Sequence, residues 1–329
     1  DLEYFVRRWK TVLDHKPARP LRTTCFVAEC DTADDRVEDW AKDKIGYQHI
    51  FNISDSGLGF IYEVSRLCGL PCGFMADWDA VKTLTTDDCD LIVLPSTTSA
   101  PPEAIAQIRR LYEAGVSLFA VGRVDGLEDI FLVKPARRTV PVSAITDGSG
   151  AAEYILPLEA EFNYTSDGGE VPIYAGKEPV LIINGRAVLL NAAPSYLGRN
   201  YNLELPHLGG FDCTSRLLRN VCAGVLRQIS SPLAWTDRAN GETCAGLSLF
   251  RDKQGREILL AIDYSDHDPD AVDNRLTETT VLFRGNGRRG IKNCEKTDIE
   301  QATPLIENGI LRGVMIKLRM HESCMIELV

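Results

Sequence analysis

Five residues between Val121 and Leu127 pose the first chemical question. Gly122, Arg123, Val124, Asp125 and Gly126 form a Gly-x-x-x-Gly turn directly after a short apolar run. A turn of that spacing between a buried strand and a helix is where a nucleophile elbow sits. Its glycines permit a strained bend that lifts the central side chain into a cleft. Here the central residue is Val124, which has no lone pair to attack with and no proton to lose. The spacing of an elbow therefore comes without its chemistry. Both an ordinary glycine-flanked turn and a relic elbow fit, because Gly-x-x-x-Gly alone carries little information.

The elements that must position this turn are legible on either side of it. Asp90–Pro95 is a short apolar run closed by proline, the pattern of a strand buried on both faces of a parallel sheet. Ser99 can cap the following helix, Pro101 and Pro102 suit its first turn, and Ile105, Ile108, Leu111 and Tyr112 recur at helical spacing until Gly115. Val116–Val121 is a second buried strand, which completes a right-handed βαβ unit. Upstream, Arg22–Ala28 reads as the first strand, Ser54–Leu67 as a helix and Cys72–Ala76 as another strand. This alternation predicts a doubly wound parallel sheet. Ligands of such sheets bind beyond the carboxyl ends of the strands, so Glu29, Asp77, Ser96, Thr97, Arg123 and Asp125 are the positions that would line a cleft.

The remainder divides by texture. Residues 1–14 read as a helix, and Pro17 and Pro20 break the chain after it. From Ala152 to Asn191 short strands are expected at 153–158, 171–175, 179–183 and 186–190, with Asn184-Gly185 as a hairpin turn. Asn191–Gly210 is a loop whose Tyr196, Arg199, Asn200, Tyr201 and His207 are types that contact sugars, and equally types that loops hold by default. Asp212–Ile229 returns to helix. A boundary follows near Ser230–Asn240. After it come strands at 243–251, 256–263, 277–284, 309–318 and 322–328, the pattern of a small antiparallel β-sandwich. The expected organisation is a linker over 1–20, an α/β domain over 21–232 and a β domain over 240–329.

Composition removes several function classes. The 329 residues carry a net charge of −11 with no basic stripe, which argues against nucleic acid and anionic membrane surfaces as partners. No apolar run approaches the roughly 20 residues of a membrane span, and residues 1–20 are too charged for a signal peptide. The chain starts at Asp1 rather than methionine, as a trimmed chain or a piece of something longer would. Ten cysteines show no Cys-x-x-Cys or Cys/His set for zinc; most lie in apolar segments as core thiols, which favours the cytoplasm. Acidic clusters at Asp31–Asp39 and Asp263–Asp273 fit solvated surfaces better than cation sites, the second lacking EF-hand spacing. There is no Walker loop, Rossmann fingerprint or His-Glu-x-x-His, so neither a cofactor nor a metal is expected. Glu159 and Glu161 would share one strand face rather than oppose each other across a cleft, as glycoside hydrolysis requires.

Two resemblances add to this. The stretch ending in Gly122–Gly126 looks like the class I glutamine amidotransferase-like, flavodoxin-like fold, whose catalytic members carry cysteine at the centre of the elbow where this chain has Val124. The order of an amidotransferase-like domain, a closing helix and a β domain containing LSLFRDKQGREILLAIDYSD resembles the back half of family forty-two glycoside hydrolases, the bacterial β-galactosidases, over residues 22–329. That resemblance implies an upstream TIM barrel with the catalytic carboxylates, trimerisation through the amidotransferase-like domain and an accessory β domain. This chain then has no catalytic residue of its own and serves as a homo-oligomeric, trimer-forming accessory region of a carbohydrate-active protein. The alternatives are a free-standing hydrolase with a displaced nucleophile, Cys25 or Ser96, and a sugar or small-molecule binding protein.

Overall fold

The computed structural model describes residues 17–27, 61, 64–65, 68–71, 73–95, 97–98, 100–191, 216–237, 245–263, 276–285, 287–293, 302–319 and 323–329. In chain order the elements begin with β1 (Pro17–Pro20), β2 (Thr23–Val27), β3 (Phe74–Ala76), α1 (Trp78–Val81), β4 (Cys89–Leu94), α2 (Pro102–Glu113), β5 (Ser117–Val121) and α3 (Glu128–Phe131). Five strands and a helix follow: β6 (Val133–Asp147), β7 (Ala152–Ser166), β8 (Glu170–Ala175), β9 (Glu178–Asn184), β10 (Ala187–Leu190) and α4 (Arg216–Ile229). The rest is strand: β11 (Ala234–Asp237), β12 (Ala245–Asp252), β13 (Glu257–Asp263), β14 (Leu276–Phe283), β15 (Ile291–Asn293), β16 (Ala302–Glu307), β17 (Ile310–Arg319) and β18 (Ser323–Leu328).

The purely parallel sheet expected from the alternation is in fact a mixed one. Nine strands run in the order β3-β2-β4-β5-β10-β9-β8-β6-β7. The first five are parallel; β10 joins β5 in parallel and then turns back into β9, after which all pairings are antiparallel. The short strands expected after Ala152 thus extend the same sheet rather than forming a separate layer. One of its strands was hidden by proline. β6 contains Pro135 and Pro141 and pairs with β8 only through Thr146 and Asp147, so neither proline faces a donor-demanding neighbour on that side.

Period-two burial explains how the parallel half is covered on both faces. Phe26, Leu91, Val93, Phe119, Val121, Val188 and Leu190 point into one core with Ile61, Val64, Leu218, Cys222 and Leu226. Their strand neighbours Cys25, Val27, Ile92, Leu94, Leu118, Ala120 and Leu189 point into the other, with Trp78, Ala104, Ile108, Leu111 and Phe131. The Ser117 hydroxyl donates to Ile229 O at 2.6 Å, fixing the end of α4 against β5. Helix α2 starts at Pro101 as N-cap without a side-chain cap; Ser99, the expected cap, lies outside the described residues. At Gly73 the chain passes so close to β2 that a Cβ would sit 1.7 Å from Thr24 O, which only glycine tolerates.

The remaining strands form a five-stranded sheet, β1-β12-β13-β18-β15, and a four-stranded sheet, β11-β14-β17-β16. Leu247, Leu249, Leu259, Ile326 and Leu328 from the first meet Ala234, Val281, Leu311, Val314 and Ile316 from the second in one shared core. The break expected at Pro17 and Pro20 is instead β1, an edge strand paired antiparallel to Phe250–Asp252. Proline is tolerated there because an edge strand has one unpaired side. The segment just before β2 therefore belongs to the C-terminal sheets.

Candidate functional site

The carboxyl ends of β4, β5 and β10 converge on the Gly122–Gly126 turn. Gly122 (φ 82°) and Gly126 (φ 80°) both take the left-handed conformation that glycine permits, and Gly122 N donates to Leu190 O at 2.9 Å. Val124 does not share it. Its φ is not positive, whereas a strained central residue is what makes an elbow, and its side chain is fully buried in the core beneath α2. The expected lift into a cleft is thus reversed: an apolar side chain gains more by entering the core than by standing in solvent, and the turn bends accordingly. The helix expected after it is a single turn, Glu128–Phe131, ended by Leu132 in the left-handed region.

The polar groups of the turn are answered from inside the protein. Tyr164, on β7 and 2% exposed, accepts from Val124 N at 2.9 Å and donates to Asp125 Oδ1 at 3.1 Å. Burial, first of all, pushes the Tyr164 phenol well up from its ordinary value, and the Asp125 carboxylate adds to this, so it stays a neutral donor. Arg123 closes on Asp125 with Nε to Oδ1 at 3.2 Å and a second nitrogen to Oδ2 at 2.5 Å. Thr97 N donates to Arg123 O at 2.9 Å, and its hydroxyl to Asp125 O at 3.1 Å. Arg109 reaches Gly126 O at 2.6 Å while pairing with Asp129. Nearby, fully buried Asn191 ties β7 to β9: its Oδ1 accepts from Asn163 N and Tyr164 N, and its Nδ2 donates to Tyr164 O and Pro179 O.

Such an arrangement has little to offer a substrate. The Val124 backbone N–H, a candidate oxyanion donor in an elbow, is consumed by Tyr164, and both Asp125 oxygens are engaged. Of the positions expected to line a cleft, Arg123, Asp125 and Thr97 come together, but as struts of one another. Asp77 stands apart. It accepts from Ala80 N at 2.7 Å as the N-cap of α1, beyond β3, three strand spacings or roughly 14 Å from β5. Glu29 and Ser96 follow β2 and β4 and lie outside the described residues, as do the acidic cluster 31–39, the loop 192–210 and residues 264–273. Sequence reasoning missed Tyr164 and Asn191, whose only local signal is a polar residue interrupting an apolar run.

Cys25, a candidate displaced nucleophile, is fully buried on β2, and burial raises its thiol well above the ordinary value, with Cys89 and Asp88 adding to this. A thiol held neutral and out of solvent cannot attack a substrate. Cys68, Cys89, Cys222 and Cys324 are likewise buried and in no disulfide. Among the described residues, no group of three or more His, Cys, Asp and Glu side chains gathers as a metal site, and no helix is long and apolar enough to cross a membrane.

No family model matches the sequence, and no curated protein matches it. Among solved structures, α-L-fucosidase isoenzyme 2 from Paenibacillus thiaminolyticus superposes on 94% of this chain with a TM-score of 0.55 at 10% identity. The chain spans 48% of that enzyme's length, and the likeness is one of fold. An exo-carrageenase, GH42, from Bacteroides ovatus covers 94% of this chain and 29% of its own at TM-score 0.30 and 12% identity. A ThuA-like protein from Bacteroides uniformis covers 64% of this chain and 93% of its own at TM-score 0.36 and 10% identity. Neither of the last two scores carries a fold assignment.

Proposed function

We propose that this chain is a non-catalytic assembly and accessory region of a carbohydrate-active protein, built on a flavodoxin-like, amidotransferase-like sheet and a small β-sandwich. The observation that carries the non-catalytic part is the Gly122–Gly126 turn. Where catalytic members of the resembled fold carry cysteine, Val124 is sealed in the core and its N–H is bonded to Tyr164. The order of the five parallel strands supports the fold: β3-β2-β4-β5-β10 is second, first, third, fourth, fifth, the flavodoxin-like order, with its switch point between β2 and β4. The likeness in fold to about half of a fucosidase supports a carbohydrate-active context, with catalysis residing elsewhere in the longer protein. The five cysteines among the described residues, buried and in no disulfide, support a reducing, cytoplasmic setting.

Two measurements on the purified chain test this. Chromogenic fucosides and galactosides, and glutamine, should give no turnover above background, and sedimentation equilibrium at micromolar concentration should give a homotrimer. Hydrolysis of any of these substrates would overturn the non-catalytic reading. A purely monomeric mass would overturn the assembly role.

A further inference from the structure

A cavity of about 350 Å³ opens where the end of α4 meets the first strand of the four-stranded sheet. That volume is in the range of small-molecule sites. Arg227 stands on α4, Ser230 and Pro232 just beyond it, Trp235 on β11, Arg284 just after β14, and Leu70 completes the wall. Backbone bonds hold these pieces in place: Thr236 N donates to Gly69 O at 2.7 Å, and Arg284 N to Leu233 O at 2.9 Å. The walls are therefore built by both the mixed sheet's helical layer and the C-terminal sheets.

Two positive side chains mark this cavity. The chain has a net charge of −11, yet two arginines converge here, and among the described residues neither has a carboxylate within ion-pair distance. The Arg284 guanidinium lies over the Trp235 ring, 5.8 Å from its centroid, which holds its planar fork without using its hydrogen-bond donors. In the same wall the Ser230 hydroxyl is shielded from solvent and has no hydrogen-bond partner among the described residues. Buried polar groups are ordinarily paired, so an unpaired hydroxyl beside two arginines that form no ion pair among the described residues is hydrogen-bonding capacity the fold does not use.

We propose that this cavity binds a monosaccharide-sized sugar acid, with its carboxylate held by Arg227 and Arg284 and its ring against Trp235 and Pro232. Arginine forks match carboxylates. The mixture of indole, proline and hydroxyl in one wall suits a hydroxylated ring better than an alkyl chain. The site is separate from the Gly122–Gly126 turn and does not depend on the chain's being catalytic or not.

Isothermal titration of the chain with galacturonate, glucuronate, galactose and inorganic phosphate tests this. Saturable binding of at least one sugar acid is expected, with galactose about tenfold weaker or worse, and with Arg227→Gln and Arg284→Gln each weakening the sugar acid about tenfold or more. Arg137→Gln, on the distant β6, should leave it unchanged. Equal binding of galactose, indifference to both cavity substitutions, or no saturable binding of either sugar acid would overturn the proposal. Phosphate binding as tightly as the best sugar acid would overturn the role given to the ring. Far-ultraviolet circular dichroism of each variant verifies that a loss of binding is not a loss of fold.

Discussion

The turn at the carboxyl end of the sheet and the cavity at the junction share residue types: arginine, an aromatic ring, a hydroxyl. In the turn, Arg123 answers Asp125, Tyr164 answers both Asp125 and Val124 N, and Thr97 answers two carbonyls. At the junction, two guanidiniums have no carboxylate within ion-pair distance and the Ser230 hydroxyl has no partner among the described residues. Residue type alone does not separate a strut from a site. What separates them is whether the fold has already satisfied the group, since a satisfied group has nothing left for a ligand and an unsatisfied one is a standing cost.

If the turn region is structural, damage there should appear as lost stability. The largest effect belongs to Asn191→Leu. The change deletes all four hydrogen bonds of a fully buried amide and strands two backbone donors and two acceptors on β7, β9 and the segments they join. A loss of about 4 kcal/mol is expected in urea unfolding. A loss under about 1 kcal/mol would remove the turn from the class of structural networks.

The junction carries an electrostatic cost of a different kind. Asp90 is 5% exposed and accepts from Ser231 N; burial, partly offset by that bond and by Arg22 and Arg284, pushes its carboxyl up to about 6. Because the folded state holds this proton more tightly than the unfolded chain, whose value is about 3.9, the group's stabilising contribution is full below about pH 3.9 and lost as pH rises through about 6. Two units correspond to about 3 kcal/mol. Asp90→Asn keeps an acceptor for Ser231 N–H without the charge, so it should be more stable than wild type by up to about 3 kcal/mol at pH 7, with the gap closing toward pH 4. The Cys89 thiol beside it, pushed up to about 12 chiefly by burial, stays neutral across that range. A gap that does not change with pH would show that Asp90 is not the titrating group.

Next in size is Tyr164→Phe, which keeps the ring in the core and removes only the hydroxyl between Val124 N and Asp125. Leaving a buried N–H unpaired should cost about 2 kcal/mol. Asp77→Ala should cost about 1 kcal/mol as the loss of a helix N-cap, with Asp77→Asn close to neutral. An Asp77→Ala variant of full stability that lost binding of the sugar acid would return Asp77 to the ligand-binding positions.

How much of this was legible follows from what each element needs locally. β4, α2 and β5 were, because strands buried on both faces and an amphipathic helix opened by proline are each specified within about 15 residues. β1, β6 and β16 were not: each contains proline, and only their places at a sheet edge or with one side largely unpaired make that proline harmless. The Asn184-Gly185 hairpin was found but one residue out of phase. Asn184 pairs with Ala187, so Gly185 and Arg186 form the turn, and only Gly185 (φ 55°) is left-handed, the II′ pattern. Asn308-Gly309, both left-handed, joins β16 to β17 as a I′ turn that the proline in β16 disguised. In the turn, the sequence places Arg123 and Asp125 together but gives no sign of Tyr164, which arrives from 40 residues downstream. The cavity joins α4, β11 and β14 across the expected domain boundary, where no single-segment pattern reaches.

The smallest predicted effect on stability is also the sharpest test of the contrast. Arg227 and Arg284 are exposed and make no ion pair among the described residues, so replacing either by glutamine should change unfolding free energy by no more than about 0.5 kcal/mol. Arg284→Gln adds only the loss of its contact with Trp235. The two regions should thus fail in opposite ways: Asn191→Leu and Tyr164→Phe unfold the protein more easily and touch no ligand, while the two arginine variants fold as wild type and release one. If Arg284→Gln instead cost about 2 kcal/mol with no ligand present, its guanidinium would be a strut like Arg109 at Gly126, and the junction would join the turn as structure rather than site.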